Sequence, residues 1–189
     1  MPREVNLELF VGGSLEVTFT VVTGSDIQTT ASKVVADTSL DVDPIKEALI
    51  SGDLIHFDGG AVATVDAAGA VIGAISISIS AMTGNVQRRE KGQKVEDISG
   101  WTDLAARFKH QADDTTAAII QKLQTAGEIT FVTDGTEGKA KFTLTAADTK
   151  LFTTATLHAW DVWREDANLE APLIYGAVNV LQAPSHAPT

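Results

Sequence analysis

Apolar and polar side chains alternate with a period of two along most of this chain, the pattern of half-buried β-strands. Val5, Leu7 and Leu9 alternate with Asn6, Glu8 and Phe10. After a Gly12-Gly13 break, Leu15, Val17, Phe19 and Val21 share one face against Glu16, Thr18 and Thr20. Two strands are predicted there, and "IQTTASKVV" (27–35) predicts a weaker third. "DLIHFDGGAVATVDAAGAVIGAISISIS" (53–80) reads as strand, Gly-Gly turn, strand, second turn and a strongly alternating strand. In that last strand Ile75, Ile77 and Ile79 form an apolar face, and Ser76, Ser78 and Ser80 a small polar one. Ile129 and Phe131, then Ala140, Phe142 and Leu144, flank a turn at Asp134-Gly135, a hairpin signal. "ATLHAWDVW" (155–163) and "LIYGAVNVLQ" (173–182) complete the series. "DLAARFKHQ" (103–111) and "AAIIQKLQ" (117–124) fit a strand or a short helix equally well.

Three stretches leave this period. In "DVDPIKEALISGD" (41–53), Asp43 is placed to cap, Pro44 suits a first helical position, and Gly52 can stop the helix. With Ile45, Ala48 and Leu49 as its stripe, a helix of about two turns is predicted. In "TAADTKLF" (145–152), Thr145 is placed to cap a brief helical turn. The most charged stretch, "QRREKGQKVEDISG" (87–100), reads as a solvated loop or hairpin tip. The total is about nine or ten short strands with turns every eight to twelve residues. The expected fold class is therefore all-β, an antiparallel sandwich or barrel with one or two short helices. Residues 1–22 and 95–183 are expected to form one discontinuous sandwich module around an inserted β-rich subdomain, 23–94, with 184–189 a flexible tail.

Composition narrows the function classes. The 189 residues are 44% hydrophobic and 21% charged, ordinary values for a packed domain. A net charge of −11 argues against a nucleic-acid partner, because phosphate binding needs a basic face. No stretch has the apolar length of a membrane span, and no basic segment followed by an apolar run marks a secretory signal, so no membrane partner is expected. The chain has no cysteine, which removes disulfides, thiolate metal sites and thiol nucleophiles.

Candidate chemistry is sparse. "VTGSD", "FDGGA" and "TDGTEGK" are glycine turns between strands rather than phosphate loops opening a helix, and no nucleophile-elbow pattern occurs. His56 and Asp58 would share a strand face, but a metal needs more ligands than two. Asp37, Asp41 and Asp43 lack the glycine and distal glutamate of a calcium loop. His110 with Asp113 and Asp114 reads as a polar loop, and His186 lies in the tail. The densest cluster is "HAWDVWRED" (158–166). As a strand it puts Leu157, Ala159, Asp161 and Trp163 on one face, and His158, Trp160, Val162 and Arg164 on the other. His158 and Asp161 then point apart, which opposes a catalytic dyad. Asp161 would need a backbone amide, or Arg164 across a local bulge. One tryptophan is expected in the core and the other in a second covered surface, since tryptophan is enriched at interface hot spots. No catalytic residue, cofactor or metal ligand is expected. The packing and interface candidates are Trp101, Trp160, Asp161, Trp163, Ile75, Ile77 and Ile79.

The C-terminal half contains Ala147-Asp148-Thr149, then Trp160-Asp161, then Gly176-Ala177-Val178-Asn179-Val180. This order of short helical turn, aromatic-Asp strand and closing "G-x-V-x-V" strand resembles the β-sandwich modules of tailed-bacteriophage virion proteins, notably the N-terminal domain of baseplate upper (BppU-type) proteins. "GGSLEVTFTVV" is similar to the opening strand of such modules, and "DISGW" to their internal turn. The segment 51–84 is similar to an element of phage capsid-associated proteins. The insertion after the first strands departs from the baseplate pattern, as does the absence of a coiled-coil or receptor-binding extension in this sequence.

The resemblance implies a non-enzymatic virion structural protein, assembled in the bacterial host cytoplasm. The favoured expectation is a capsid decoration (cement) protein that forms a homo-oligomer, a trimer above all, and docks on the major capsid protein or another virion protein. The alternative is a neck, tail or baseplate adaptor. A carbohydrate-binding sandwich would instead need Trp101, Trp160 or Trp163 flat and exposed beside polar groups. A hydrolase built on an Asp/His cluster is the weakest reading, because strand geometry separates its groups.

Overall fold

The structure, a computed structural model, describes residues 3–110, 118–152, 158–166 and 171–181. In chain order the strands are β1 (Arg3–Glu4), β2 (Leu7–Phe10), β3 (Leu15–Thr20), β4 (Val22–Gln28) and β5 (Ser39–Asp41). Next come β6 (Leu54–Phe57), β7 (Val62–Val65), β8 (Ser76–Met82), β9 (Lys91–Val95) and β10 (Leu104–Lys109). The last five are β11 (Ile120–Leu123), β12 (Ile129–Phe131), β13 (Lys139–Leu144), β14 (His158–Arg164) and β15 (Ala171–Leu181), with a single short helix, α1 (Ala146–Thr149), before β14. The protein is almost entirely β, with mainly antiparallel sheets packed as a sandwich or barrel-like fold. Fifteen strands are described rather than nine or ten; β1 and β5, of two and three residues, are too short to show alternation.

The chain divides into two compact units, Met1–Val21 with Ile98–Thr189, and Val22–Asp97. In the first, β15, β14, β10 and β11 are neighbours in one sheet, and β1 and β2 both lie parallel to β15 along its free edge. A second sheet has the order β12-β13-β3. The inward faces of both supply one core, including Val17, Phe19, Leu104, Phe108, Phe142, Trp160, Val162 and Val178. Phe108 stacks on Trp160 with centroids 6.0 Å apart and meets Phe142 edge-on at 5.9 Å. Such pairs add to the energy of area burial and fix ring orientation.

The second unit is one sheet, β4-β9-β6-β7-β8-β5. Its core gathers Ile27, Leu40, Ile55, Phe57, Val65, Ile77, Ile79 and Val86. Two expectations fail here, and a third holds only in part. Residues 44–50 form no helix. Ile45 and Leu49 are buried, but the segment runs irregularly against residues 70–74 through Leu49–Ala70 and Ile45–Ala74 backbone bonds. A four-residue spacing of apolar residues matches a helix, yet these backbone bonds are made to another segment. Second, the charged stretch 87–100 contains β9, which is paired on both sides, by β4 and β6. Its inward positions are Gly92 and Val95. A side chain at Gly92 would collide with Phe57 and Ile55, so closeness of backbone to core replaces the apolar alternation that marks other strands. Third, Ile75 precedes β8 and is exposed, whereas Ile77 and Ile79 are buried inside the unit. The weak strand expected over 27–35 lies earlier, at β4, with only isolated bridges at Thr29 and Lys33 beyond it.

Candidate functional site

The tryptophan cluster falls on β14, hydrogen-bonded between β10 and β15. Its alternation buries His158, Trp160 and Val162 on the core face, while Ala159, Asp161 and Trp163 on the other face are only partly buried. An irregularity in the β14–β15 register falls between Val162 and Trp163. It does not bring Arg164 to Asp161. The Arg164 guanidinium lies 4.1 Å from the centroid of the Trp101 ring and bonds Asp166 at 2.6 Å. Burial raises the Asp166 pKa, but Arg164 and Thr102 outweigh it and hold the carboxyl below its usual range. Arg107, opposite Asp161 on β10, is engaged by Glu165. Asp161 Oδ1 is buried with no hydrogen-bond partner. The expected buried donor for Asp161 is therefore missing. Trp101 and Trp160 are both buried, which removes them as an exposed sugar platform.

Trp160 does something the sequence reading did not anticipate. Its indole N–H donates to the Val5 carbonyl at 2.7 Å. Val5 sits in the break between β1 and β2, where the Ala177 N–H donates to the Asn6 side chain at 2.9 Å. Cross-strand from Trp160 is Gly176, and a Cβ there would fall on the Val5 carbonyl oxygen. The missing side chain at Gly176 thus makes room for the carbonyl that Trp160 binds. The helical turn does a parallel job. Thr149, fully buried, accepts from the Gly12 N–H at 3.1 Å and donates to the Gly13 carbonyl at 2.7 Å. Asp148 and Thr145 form a reciprocal capping box. Asp148 also receives Lys122 at 2.9 Å. Burial opposes the charge on each, but the hydrogen bonds and opposite charge between them outweigh it. The Asp148 pKa is lowered and the Lys122 pKa raised, Lys122 being helped by Glu128. Residues from the helical turn, the tryptophan strand and the closing strand therefore all fasten the segment 5–14. The signal for this was the placement of Gly176 and Thr149 within short motifs, but their partners lie more than a hundred residues away.

The other candidate ligands scatter. Asp58 lies in the turn after β6 and does not share a strand face with His56. Asp37 accepts from the Val34 N–H, Asp41 pairs with Lys33, and Asp43 precedes no helix to cap. Asp113, Asp114, Leu157 and His186, with the tail 184–189, lie outside the described residues. Among the described residues no group of three or more His, Asp or Glu side chains is placed to hold a metal ion, and no helix is long and apolar enough to cross a membrane.

Among the described residues, several large exposed apolar side chains lie in the second unit. Ile50, Val71, Ile72 and Ile75 are 67%, 74%, 68% and 66% exposed. They belong to two segments, 42–50 and 69–75, that are joined by the Val42–Ile75, Ile45–Ala74 and Leu49–Ala70 backbone bonds. Ala67 and Ala68 are also exposed in the same run. No protein-family model matches this chain, and no curated protein is significantly similar to it.

Proposed function

We propose that this chain is a non-enzymatic structural protein of a bacteriophage particle, a head accessory protein that associates with copies of itself and docks on the capsid. The observation that carries this reading is the exposure of Ile50, Val71, Ile72 and Ile75. Scattered single apolar residues need no explanation, but four large ones exposed on two paired segments favour a protein contact. Two features give further support. The sandwich fold suits a rigid building block, and the residues on which the resemblance to phage sandwich modules rests spend their interactions on locking the N-terminal segment in place.

On this reading these residues form the surface between copies, and a trimer is the assembly. The buried face of β8 is not available for that role, because Ile77 and Ile79 are used inside the unit. The test is immunolabelling of virions in the electron microscope, together with light scattering of the purified chain. Label regularly spaced over the head, and a trimer in solution, are the expected results. A persistent monomer and unlabelled particles would overturn the proposal.

A further inference from the structure

The second unit contains a cavity of about 290 Å³ lined by Gln28, Thr29, Thr30, Asp43, Arg88 and Arg89. Its wall is the turn Gln87–Glu90 folded over the end of β4. The turn is held from inside. The Thr29 hydroxyl donates to the Gln87 carbonyl at 2.6 Å and accepts from the Glu90 N–H at 3.0 Å. The Glu90 carboxylate accepts from the Gln87 and Gly59 N–H groups, both at 2.7 Å. The Arg88 N–H donates to Ser32, and the Gln28 amide donates to the Arg89 carbonyl. These bonds hold the turn without either guanidinium.

The chain has 25 acidic and 14 basic residues, so carboxylates are in excess. In the same unit Lys33, Lys91 and Lys94 each pair with an aspartate, while Lys46 makes no ion pair among the described residues. Arg88 and Arg89 make no ion pair among the described residues. Arg89 is also held at φ +65°, one of two non-glycine residues with positive φ among the described residues. A side chain in that region carries backbone strain, which the surrounding structure must hold in place. Two adjacent unpaired cations on a strained, internally braced turn beside a cavity form a site for an anionic group.

The rest of the lining selects among anions. The guanidiniums offer planar forks that match a carboxylate. Asp43 and the Gln28 carbonyl oxygen are acceptors, and the Thr30 hydroxyl can serve either way. Asp43 repels a compact dianion such as phosphate, but it accepts hydrogen bonds from hydroxyl groups. The volume lies at the lower edge of small-molecule sites, enough for one ring rather than a chain. We propose that this cavity binds a hydroxylated carboxylate of sugar-acid size, a uronate, with its carboxylate on Arg88 and Arg89 and its hydroxyls on Asp43 and Gln28. The ligand is either a free sugar acid or one unit of an acidic polysaccharide.

The test is titration of the full chain, followed by NMR and calorimetry, with galacturonate, a polyuronate, glucose and inorganic phosphate. Galacturonate should bind with a dissociation constant of order millimolar, more weakly as salt rises, and at least about tenfold more tightly than glucose or phosphate. Comparable binding of the polyuronate assigns the site to polymer-borne units, and binding of the monomer alone assigns it to the free acid. Arg88→Gln and Arg89→Gly should each abolish binding. Arg89→Gly suits the backbone at this position, so its melting temperature should not fall, and loss of binding is not loss of fold. Asp43→Asn should narrow the preference for galacturonate over phosphate. No saturable galacturonate binding, equal affinity for phosphate, or full binding by Arg89→Gly would each overturn the proposal.

Discussion

Replacing Gly176 by alanine tests the lock on the N-terminal segment most directly. The new Cβ would fall on the Val5 carbonyl oxygen and come within 3.0 Å of Trp160 Nε1. The first obstacle is backbone, so no side-chain rotation relieves it. Residue 5 must move, and three bonds fail with it. These are Trp160 Nε1–H to the Val5 carbonyl, the Val5 N–H to the Tyr175 carbonyl at 2.8 Å, and the Ala177 N–H to Asn6. At about 1 kcal/mol net each, the loss is about 3 kcal/mol. For a chain of this size that lowers the melting temperature by about 6–12 °C. All three tryptophans, Trp101, Trp160 and Trp163, belong to the same unit, so tryptophan fluorescence during urea or thermal unfolding follows that unit alone. Trp160→Phe should cost about 1–3 kcal/mol by leaving the Val5 carbonyl without its donor. Because both changes release one segment, the double variant should lose less than the sum of the two singles. If Gly176→Ala unfolds within about 0.5 kcal/mol of the parent, the segment is not held as described.

Three other outcomes follow from the geometry. Asp161→Ala should change stability by less than about 0.5 kcal/mol or raise it, because Oδ1 has no partner to lose; a loss above 1 kcal/mol on urea unfolding would refute this. Asp148 has its pKa lowered from the ordinary 3.8, so its contribution is present above that value and disappears as pH falls through the lower folded value. Acid unfolding followed by tryptophan fluorescence should therefore flatten in this range for Asp148→Asn, and that variant should also lose about 1–2 kcal/mol at neutral pH with its cap. Ile72→Asp should leave the melting temperature unchanged and convert the proposed trimer to monomer on light scattering; an unchanged trimer would remove these exposed residues from the interface.

The β class was legible because most strands here bury one face only, as β3, β7 and β13 show by strict alternation. The capped turn at Thr145 was legible because a capping box is local, spanning three residues. What hid the rest was of two kinds. At β9 the backbone itself approaches Phe57 and Ile55, so glycine stands where an apolar side chain would have signalled burial. At 44–50, Ile45 and Leu49 have helical spacing, yet the segment is satisfied by a partner some twenty-five residues on, information that no local window contains. The tryptophan strand combines both cases. Its two faces could be read from alternation, but the carbonyl that Trp160 holds lies 155 residues away in sequence.

The pairing of β4 with β9 has a consequence for how this chain is assembled. Val22 and Val95, the first and last paired residues of the inserted unit, face each other across an antiparallel ladder. Once that unit has folded, its two ends stand about 5 Å apart, the separation found across an ordinary pair of strands. The interrupted module then has to close only a tight turn, and the entropy of joining Val21 to Ile98 is already spent by the insert. An insertion built this way is interchangeable in principle with a short hairpin connection.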